Sequence, residues 1–269
     1  MEVLEQIADY VLVRQLGEGN YGQFYLAKPP PRLGLPIDQI ALKVVAGATG
    51  NDAFHRATKE LRLFASVKSE YLVDLFDAGQ DGDYFFYSME YFPRGSLGAP
   101  SAPLSRTEVR QAVANAARAT HDLHESGIAH RDIKPENIML DDDGGKLADL
   151  GLAQLLAPGL TITGMGPVQS VEFMDPNIMR GERASRASDI WSLGITLHRA
   201  LTGRSVYGDL PADDPLLALR KVLNNEPAVD PSLSSAEASL IQHCLARDPA
   251  DRPATALAVA EELEAIPAS

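Results

Sequence analysis

The sequence has little of several features on which other classes of protein depend. It contains a single cysteine, Cys244, so no disulfide can form within the chain. No apolar run reaches the roughly 18 residues that a membrane-spanning helix needs. The first residues, Met1 to Glu5, are acidic, unlike the basic start of a secretory signal peptide. These absences predict a protein of the reducing cytoplasm without membrane insertion, in which Cys244 is a buried small hydrophobic residue.

Positive charge is also scarce. The chain has 24 Lys and Arg residues against 37 Asp and Glu residues, a formal net charge of −13 at pH 7. Nucleic acids and anionic membranes attract proteins with a positive field, so neither is expected as a main partner. The charge mildly favours a basic peptide substrate, and it also serves simply to keep a soluble protein in solution.

The remaining composition is that of an ordinary globular protein, 45% hydrophobic over 269 residues. Alternating apolar and polar residues predict strands around residues 10–13, 23–27, 40–45, 72–78 and 84–90, with a helix over 52–67. Helical periodicity dominates after residue 104. It predicts a helix capped by Ser105 or Thr107 and ending near His124, then helices near 186–202, 214–224, 235–246 and 253–265. This order predicts an α+β fold with a small antiparallel β-sheet lobe first.

A glycine-rich turn joins the first two predicted strands. Gly17, Gly19 and Gly22 are spaced so that the backbone can approach a phosphate closely. The turn lies between two strands rather than between a strand and a helix, which argues against a Rossmann dinucleotide site. The next predicted strand contains Ala41 and Lys43.

The strongest signal is the stretch from residue 128 to residue 139, followed by the triplet Asp149-Leu150-Gly151. Asp132 can accept the proton of an attacking hydroxyl, and Lys134 can neutralise charge on a phosphate in transfer. Asn137 and the aspartate of the triplet offer the oxygen ligands that Mg²⁺ prefers. The pattern therefore indicates phosphoryl transfer.

These motifs resemble the catalytic domain of the eukaryotic-type (Hanks-type) Ser/Thr protein kinases in a form that looks bacterial, and the resemblance runs from about Tyr10 to Leu263. It implies a bilobal kinase fold in one domain over 1–269, with an N-lobe at 1–91, a hinge at 92–95 and a C-lobe at 96–269. It implies transfer of the γ-phosphoryl group of ATP to a Ser or Thr hydroxyl of a protein, with Mg²⁺ or alternatively Mn²⁺. We also expect autophosphorylation and a separate regulatory protein.

The resemblance assigns roles to individual residues. Asp132 would orient and deprotonate the substrate hydroxyl, with Lys134 beside it. Lys43 would contact the phosphates and pair with Glu60, and Asn137 and Asp149 would bind the metal. The residues expected to bind the nucleotide are Gly17, Gly19, Gly22, Phe24, Ala41, Lys43, Met89, Glu90, Phe92 and Met139. Asp189 would anchor the backbone of the catalytic loop, and Trp191 would belong to the core.

Residues 151–176, rich in Gly, Pro and Thr, are predicted to be a loop, and the resemblance implies that it is the activation loop. Arg131, next to Asp132, suggests control by a phosphate on this loop through a charge-assisted contact. Thr161 and Thr163 are the expected autophosphorylation sites. Ser170 aligns with a threonine that contacts the catalytic aspartate and lysine in kinases.

Three positions depart from the family pattern. Phe24 stands where kinases usually have valine, and Leu150 where they have phenylalanine. Asn177 stands where a glutamate normally pairs with a buried arginine, here Arg252. Because losing one partner of a buried ion pair typically costs about 3–5 kcal/mol, we expect a more mobile end to the activation segment unless Asp175 supplies the carboxylate.

Two other functions stay open. A pseudokinase, a nucleotide-binding scaffold without turnover, fits the three departures, although the complete set Lys43, Glu60, Asp132, Asn137 and Asp149 argues against it. A small-molecule kinase of the aminoglycoside type shares the spacing of the catalytic aspartate and asparagine but usually lacks Lys134 and the helix motif at Asp189. Loss of ATP turnover on Asp132→Asn would separate an enzyme from a scaffold.

Overall fold

The computed structural model describes residues 5–19, 22–46, 51–149, 171–211 and 214–267. Within these ranges the chain forms two compact units. The N-terminal unit extends to Ser66 and also contains Val73–Phe92. The C-terminal unit contains Val67–Leu72 and the described residues from Pro93 onward.

A six-stranded antiparallel sheet forms most of the N-terminal unit, in the spatial order β1-β2-β3-β4-β6-β5. Its strands are Gln6–Ile7 (β1), Tyr10–Gly19 (β2), Gly22–Lys28 (β3), Ile40–Ala46 (β4), Leu75–Asp81 (β5) and Tyr84–Met89 (β6). Helix α1, Asn51–Ser66, follows β4. The five strands and the helix predicted here are confirmed, but β5 begins three residues later than predicted, since Leu72 instead makes an isolated bridge to Leu147 within the C-terminal unit.

The core of this sheet is mostly apolar. It comprises Ile7, Tyr10, Tyr25, Ala27, Ile40, Leu42, Val44 and Phe86. Tyr10 is fully buried, and its hydroxyl contacts Asp77 at 2.7 Å and Ser88 at 3.1 Å. Arg32 forms ion pairs with Asp9 and Asp77, both at 2.6 Å, so the proline-rich connection after β3 is held against the sheet.

The C-terminal unit is mainly helical. Its described helices are Arg106–Glu125 (α2), Pro176–Met179 (α3), Arg186–Thr202 (α4), Pro215–Asn224 (α5), Ser235–Cys244 (α6) and Ala256–Ala265 (α7). Four short strands form a second sheet, Gly95–Ser96 (β7), Ala99–Pro100 (β8), Ile138–Met139 (β9) and Lys146–Leu147 (β10), in the order β10-β9-β7-β8. The last residue of the predicted hinge, Gly95, is thus the first residue of strand β7.

Side-chain caps explain where several of these helices begin. Of the two predicted caps, Ser105 and Thr107, it is Ser105 that caps α2, and it forms a reciprocal capping box with Glu108. Ser234 and Glu237 make the same arrangement at α6. Each cap pairs backbone N–H groups that would otherwise lack a partner in the first helical turn.

Helix α4 lies at the centre of the unit and is buried along most of its length. Trp191 and Cys244 are both buried, which confirms the prediction that they belong to the core. A Cβ atom at Gly194 would lie 2.6 Å from the Cβ of Cys244, so glycine lets α4 and α6 approach closely. No helix among the described residues is long and apolar enough to cross a membrane.

Candidate active site

The loop between α2 and β9 brings three of the predicted catalytic residues together. The Nζ atom of Lys134 lies 3.0 and 2.8 Å from the two carboxylate oxygens of Asp132. The amide nitrogen of Asn137 donates to the backbone oxygen of Asp132 at 2.7 Å and to its Oδ2 at 3.0 Å. The carboxylate of Asp132 is therefore held by two donors, and its side chain keeps 31% of its surface exposed.

Asp189, near the start of α4, holds the backbone of this loop. It is fully buried and accepts hydrogen bonds from the amides of His130, at 2.8 Å, and Arg131, at 2.9 Å. The predicted anchoring role is confirmed. A third donor, Nε2 of His124 at 2.8 Å, was missed, because a histidine in the last turn of α2 resembles an ordinary helix-terminal residue.

His130 connects the loop to the strand that precedes Asp149. Its Nε2 donates to the carbonyl of Ala148 at 3.0 Å, and its Nδ1 accepts from the amide of Asp132 at 3.4 Å. Burial lowers the pKa of His130, against the opposing effect of nearby aspartates. The amide of Ala148 donates to the carbonyl of Asn137 at 2.8 Å. Asp149, the next residue, is thereby held close to the same loop.

Two residues of this region have a left-handed backbone. Arg131 has φ of 72° and Asp149 has φ of 56°. Such conformations are unfavourable for residues other than glycine and persist where the surrounding structure holds them. Here the amide of Arg131 donates a hydrogen bond to Asp189. Asp149 directly follows Ala148, whose carbonyl and amide are both hydrogen-bonded.

Several of the residues predicted to bind the nucleotide lie on β2, β3 and β4 of the N-terminal unit. Phe24 pairs with Gly17 on β2 and with Lys43 on β4. The Nζ atom of Lys43 lies 4.9 Å from the centre of the Phe24 ring, so the phenylalanine that replaces valine contacts this lysine. A Cβ atom at Gly17 would meet nothing within 4 Å, whereas at Gly22 it would collide with the backbone oxygen of Val44.

The other residues predicted to bind the nucleotide are divided between the units. Ala41 and Met89 are direct partners across β4 and β6, and both are buried. The amide of Glu90 donates to the carbonyl of Asp74 at 3.0 Å, and Phe92 is buried. Met139 lies on β9 of the C-terminal unit, half-buried, where it pairs with Ser96 and Lys146.

Several predicted residues lie outside the described part of the chain. Gly19 is described only as the end of β2, and Glu60 only as part of α1, without their side-chain surroundings. Leu150, Gly151, Thr161, Thr163 and Ser170 lie outside the described residues altogether. The pairing of Lys43 with Glu60 and the two phosphorylation sites therefore stay predictions.

Asp175 supplies the carboxylate that this chain lacks at Asn177, where the family pattern has a glutamate. Its Oδ2 lies 2.5 Å from Nη1 of Arg252, and both side chains are almost fully buried. The side chain of Asn177 instead accepts from Arg180 at 3.2 Å, on the exposed surface. The expectation of an unmatched arginine, and with it the reason to expect a more mobile segment end, is corrected by this pair.

Comparison with known proteins points to the same family as the site. A family model for the protein kinase domain matches residues 10–263. The chain is 30% identical to serine/threonine-protein kinase PrkC of Bacillus subtilis over 267 residues, which are 95% of this chain and 39% of PrkC. It is 32% identical to serine/threonine-protein kinase PknK of Mycobacterium tuberculosis over 97% of this chain and 24% of PknK.

A third relative is serine/threonine-protein kinase PknL of Mycobacterium tuberculosis, 33% identical over 96% of this chain and 65% of PknL. The chain thus spans between 24% and 65% of the length of these relatives. The predicted α+β kinase fold is confirmed, with the antiparallel sheet in the N-terminal unit and the helices in the C-terminal unit. With a family match over nearly its whole length and the catalytic loop assembled as described, the chain belongs to the protein kinase domain family.

Proposed function

We propose that the chain is a Ser/Thr protein kinase that transfers the γ-phosphoryl group of ATP to a Ser or Thr hydroxyl of a protein. The observation that carries this proposal is the hydrogen-bonded group of Asp132, Lys134 and Asn137. A lysine two residues after the catalytic aspartate is the Ser/Thr form of the motif. All three relatives bear the name serine/threonine-protein kinase.

Asp132 would receive the proton of the attacking hydroxyl. Its carboxylate is partly exposed, so a substrate can reach it, and Lys134 and Asn137 fix its orientation. Positioning of this kind supplies much of the rate in phosphoryl transfer, because the protein does little covalent chemistry. The Nζ atom of Lys134 would also offset charge on the phosphate being transferred.

Asn137 and Asp149 would hold Mg²⁺, or Mn²⁺ in its place. The donor set fits a hard cation, since both side chains offer oxygen. The side-chain nitrogen of Asn137 makes both hydrogen bonds to Asp132. Its side-chain oxygen is therefore the atom that could bind a cation. When bound, the metal would neutralise charge on the phosphates.

The N-terminal unit would hold the nucleotide. Space at Gly17 leaves room for a phosphate near the backbone. Lys43 lies on β4, directly across from Phe24 on β3. Because the amide of Glu90 is bonded to Asp74, this residue would offer its carbonyl to the adenine edge. Ala41 and Met89 would give apolar contact. A cytoplasmic location, a basic protein substrate and a regulatory partner stay predictions.

The test is incubation of the purified chain with ATP and Mg²⁺ in the presence of a basic protein such as histone, followed by intact-mass measurement. We expect phosphate to be added to the chain or to the basic protein, and none to appear with Asp132→Asn. Asp142→Asn, at a fully exposed carboxylate, is the matched control and should behave as the native chain does. Equal phosphate transfer by Asp132→Asn would disprove the assignment.

Two further variants separate binding from chemistry. Lys43→Ala should greatly reduce transfer with the fold retained, whereas Lys28→Ala, at an exposed lysine on β3, should not. Asp149→Asn should lower both activity and its dependence on Mg²⁺ concentration. If nucleotide binds to the native chain but no phosphate is transferred with or without the basic protein, the chain is a scaffold and the proposal is wrong.

A further inference from the structure

A cavity of about 380 Å³ opens in the C-terminal unit, away from Asp132 and its partners. Its walls come from α3, from the end of α5 and from α6, with Trp191 and Arg252 among the lining residues. Part of the wall is apolar, from Val222, Pro227 and Leu245. The volume is enough for a ligand of modest size with an aliphatic portion.

Two buried donors beside this cavity lack an acceptor. Among the residues that the structure describes, nothing accepts a hydrogen bond from Nη2 of Arg252 or from Nε1 of Trp191. The other nitrogens of Arg252 are used, since Nε donates to Ala246 at 2.9 Å and Nη1 to Asp175 at 2.5 Å and Ala187 at 2.7 Å. Buried polar groups normally have partners, so two unpaired donors on residues that line one cavity point to a missing acceptor.

The two donors belong to side chains that are in contact. The guanidinium carbon of Arg252 lies 4.9 Å from the centre of the Trp191 ring. A carboxylate can accept from a guanidinium and an indole N–H at once, because it has two oxygens. Asp175 already occupies Nη1 of Arg252, so only Nη2 needs an acceptor, and Asn177 lines the same cavity without a charge.

The charges around the cavity favour an anion. Arg180 and Arg247 lie on its exposed rim, against one exposed acid, Glu226, while Asp175 is already paired with Arg252. This is a locally positive place on a chain whose net charge is −13. A positively charged patch on an otherwise acidic surface attracts anions and raises their local concentration.

We infer that this cavity binds an aliphatic carboxylate, which accepts hydrogen bonds from Nη2 of Arg252 and Nε1 of Trp191. The carboxylate comes either from a free acid or from an acidic side chain of a bound protein segment. Both nitrogens are shielded from water, so the inner wall of the cavity shifts slightly when the ligand enters. The site is separate from the catalytic group and does not depend on the proposed kinase activity.

Trp191 is the only tryptophan of the chain, so its signals report on this site alone. The experiment titrates the ¹⁵N-labelled full chain with sodium glutarate and follows the indole N–H resonance and the tryptophan fluorescence. Sodium chloride at matched ionic strength and the neutral analogue glutaramide are the controls. We expect a saturable downfield shift with glutarate only, with a Kd on the order of 1 mM.

Two pairs of variants test the residues. Asn177→Glu should move the indole resonance without ligand and abolish the response to glutarate, because an internal carboxylate takes the donors, whereas Asn177→Gln should respond as the native chain does. Arg247→Gln should weaken binding several-fold, and Arg183→Gln, an exposed arginine that does not line the cavity, should leave it unchanged. Circular dichroism and melting curves check that each variant is folded.

The outcomes are distinct. No saturable shift with glutarate, an equal shift with glutaramide, or an undiminished response in Asn177→Glu would each overturn the inference. A blocked pentapeptide with a central glutamate, compared with its glutamine counterpart, identifies the source of the carboxylate. Tighter binding of the glutamate peptide than of glutarate indicates a side chain of a protein segment, and weaker binding indicates a free acid.

Discussion

Replacing Asp175 by alanine should destabilise the chain far more than removing a surface carboxylate. The side chains of Asp175 and Arg252 are only 3% and 1% exposed, and their atoms approach to 2.5 Å. The second oxygen of Asp175 accepts from the amide of Asn177 at 2.9 Å and so caps α3. The substitution removes both interactions and leaves the guanidinium of Arg252 buried without its counter-charge.

The size of the effect follows from these contacts. Removing one partner of a buried ion pair costs about 3–5 kcal/mol, and loss of the cap adds about 1 kcal/mol. Arg252 keeps its bonds to the carbonyls of Ala246 and Ala187, which limits the loss. We expect about 3–4 kcal/mol, which lowers Tm by roughly 10 °C for a protein of this size. Scanning calorimetry or circular dichroism measures the shift.

Glu125→Ala is the matched control. Glu125 pairs with Arg186 at 2.9 Å, but the two side chains are 60% and 51% exposed, so its loss should change stability by less than about 1 kcal/mol. Adding Asn177→Glu to Asp175→Ala should recover part of the lost Tm, because it returns a carboxylate to the neighbourhood of Arg252. If Asp175→Ala and Glu125→Ala melt at the same temperature, the energetic reasoning for the buried pair is wrong.

Three other substitutions give contrasting results. Asp189→Asn places an amide where three donors converge, so we expect kcat to fall on the order of 100-fold with nucleotide affinity kept, as steady-state kinetics and nucleotide titration can measure. Burial raises the pKa of Glu237, but hydrogen bonds from Arg106 and Ser234 outweigh it and lower the pKa to about 2. Since the folded pKa is below the ordinary 4.5, this carboxylate stabilises the fold above that pH and loses its effect as the pH falls towards 2. Glu237→Gln should therefore be less stable than the native chain at pH 7, and its stability should fall less than that of the native chain between pH 7 and pH 3.5. Equal changes in the urea midpoint of the two proteins over this pH range would contradict the prediction. Burial raises the pKa of Glu172 above the ordinary 4.5. Ionisation of this carboxylate at higher pH therefore destabilises the folded state. Glu172→Gln should raise Tm at pH 8 more than at pH 4, and a uniform change would oppose that assignment.

The sequence predicted the elements that have a clear local period. Strands β2, β3, β4 and β6 and helices α1 and α2 alternate or repeat over enough residues for the pattern to be visible. Strand β1 has two residues and depends on the burial of Ile7 in a core assembled from later strands, which no local pattern reveals. The hairpin of β7 and β8 and the single turn of α3 are missed for the same reason.

The candidate site shows the same division between local and distant contacts. Asp132, Lys134 and Asn137 lie within six consecutive positions, so one loop conformation brings them together and the motif alone identifies them. The partnership of Asp175 with Arg252 joins residues far apart in sequence, and the sequence offered it only as an alternative. The stacking of Arg252 on Trp191 has no sequence signal, because it depends on how α4 packs against the segment before α7.

The left-handed backbone at Arg131 and Asp149 sets a limit on how this protein can be improved. Glycine adopts that conformation without steric penalty, so glycine at either position would remove strain from the fold. Arg131→Gly and Asp149→Gly would also delete the proposed phosphate contact and the proposed metal ligand. A directed-evolution campaign that rewards heat resistance alone would therefore select against turnover at these positions, and a useful campaign must impose both pressures together.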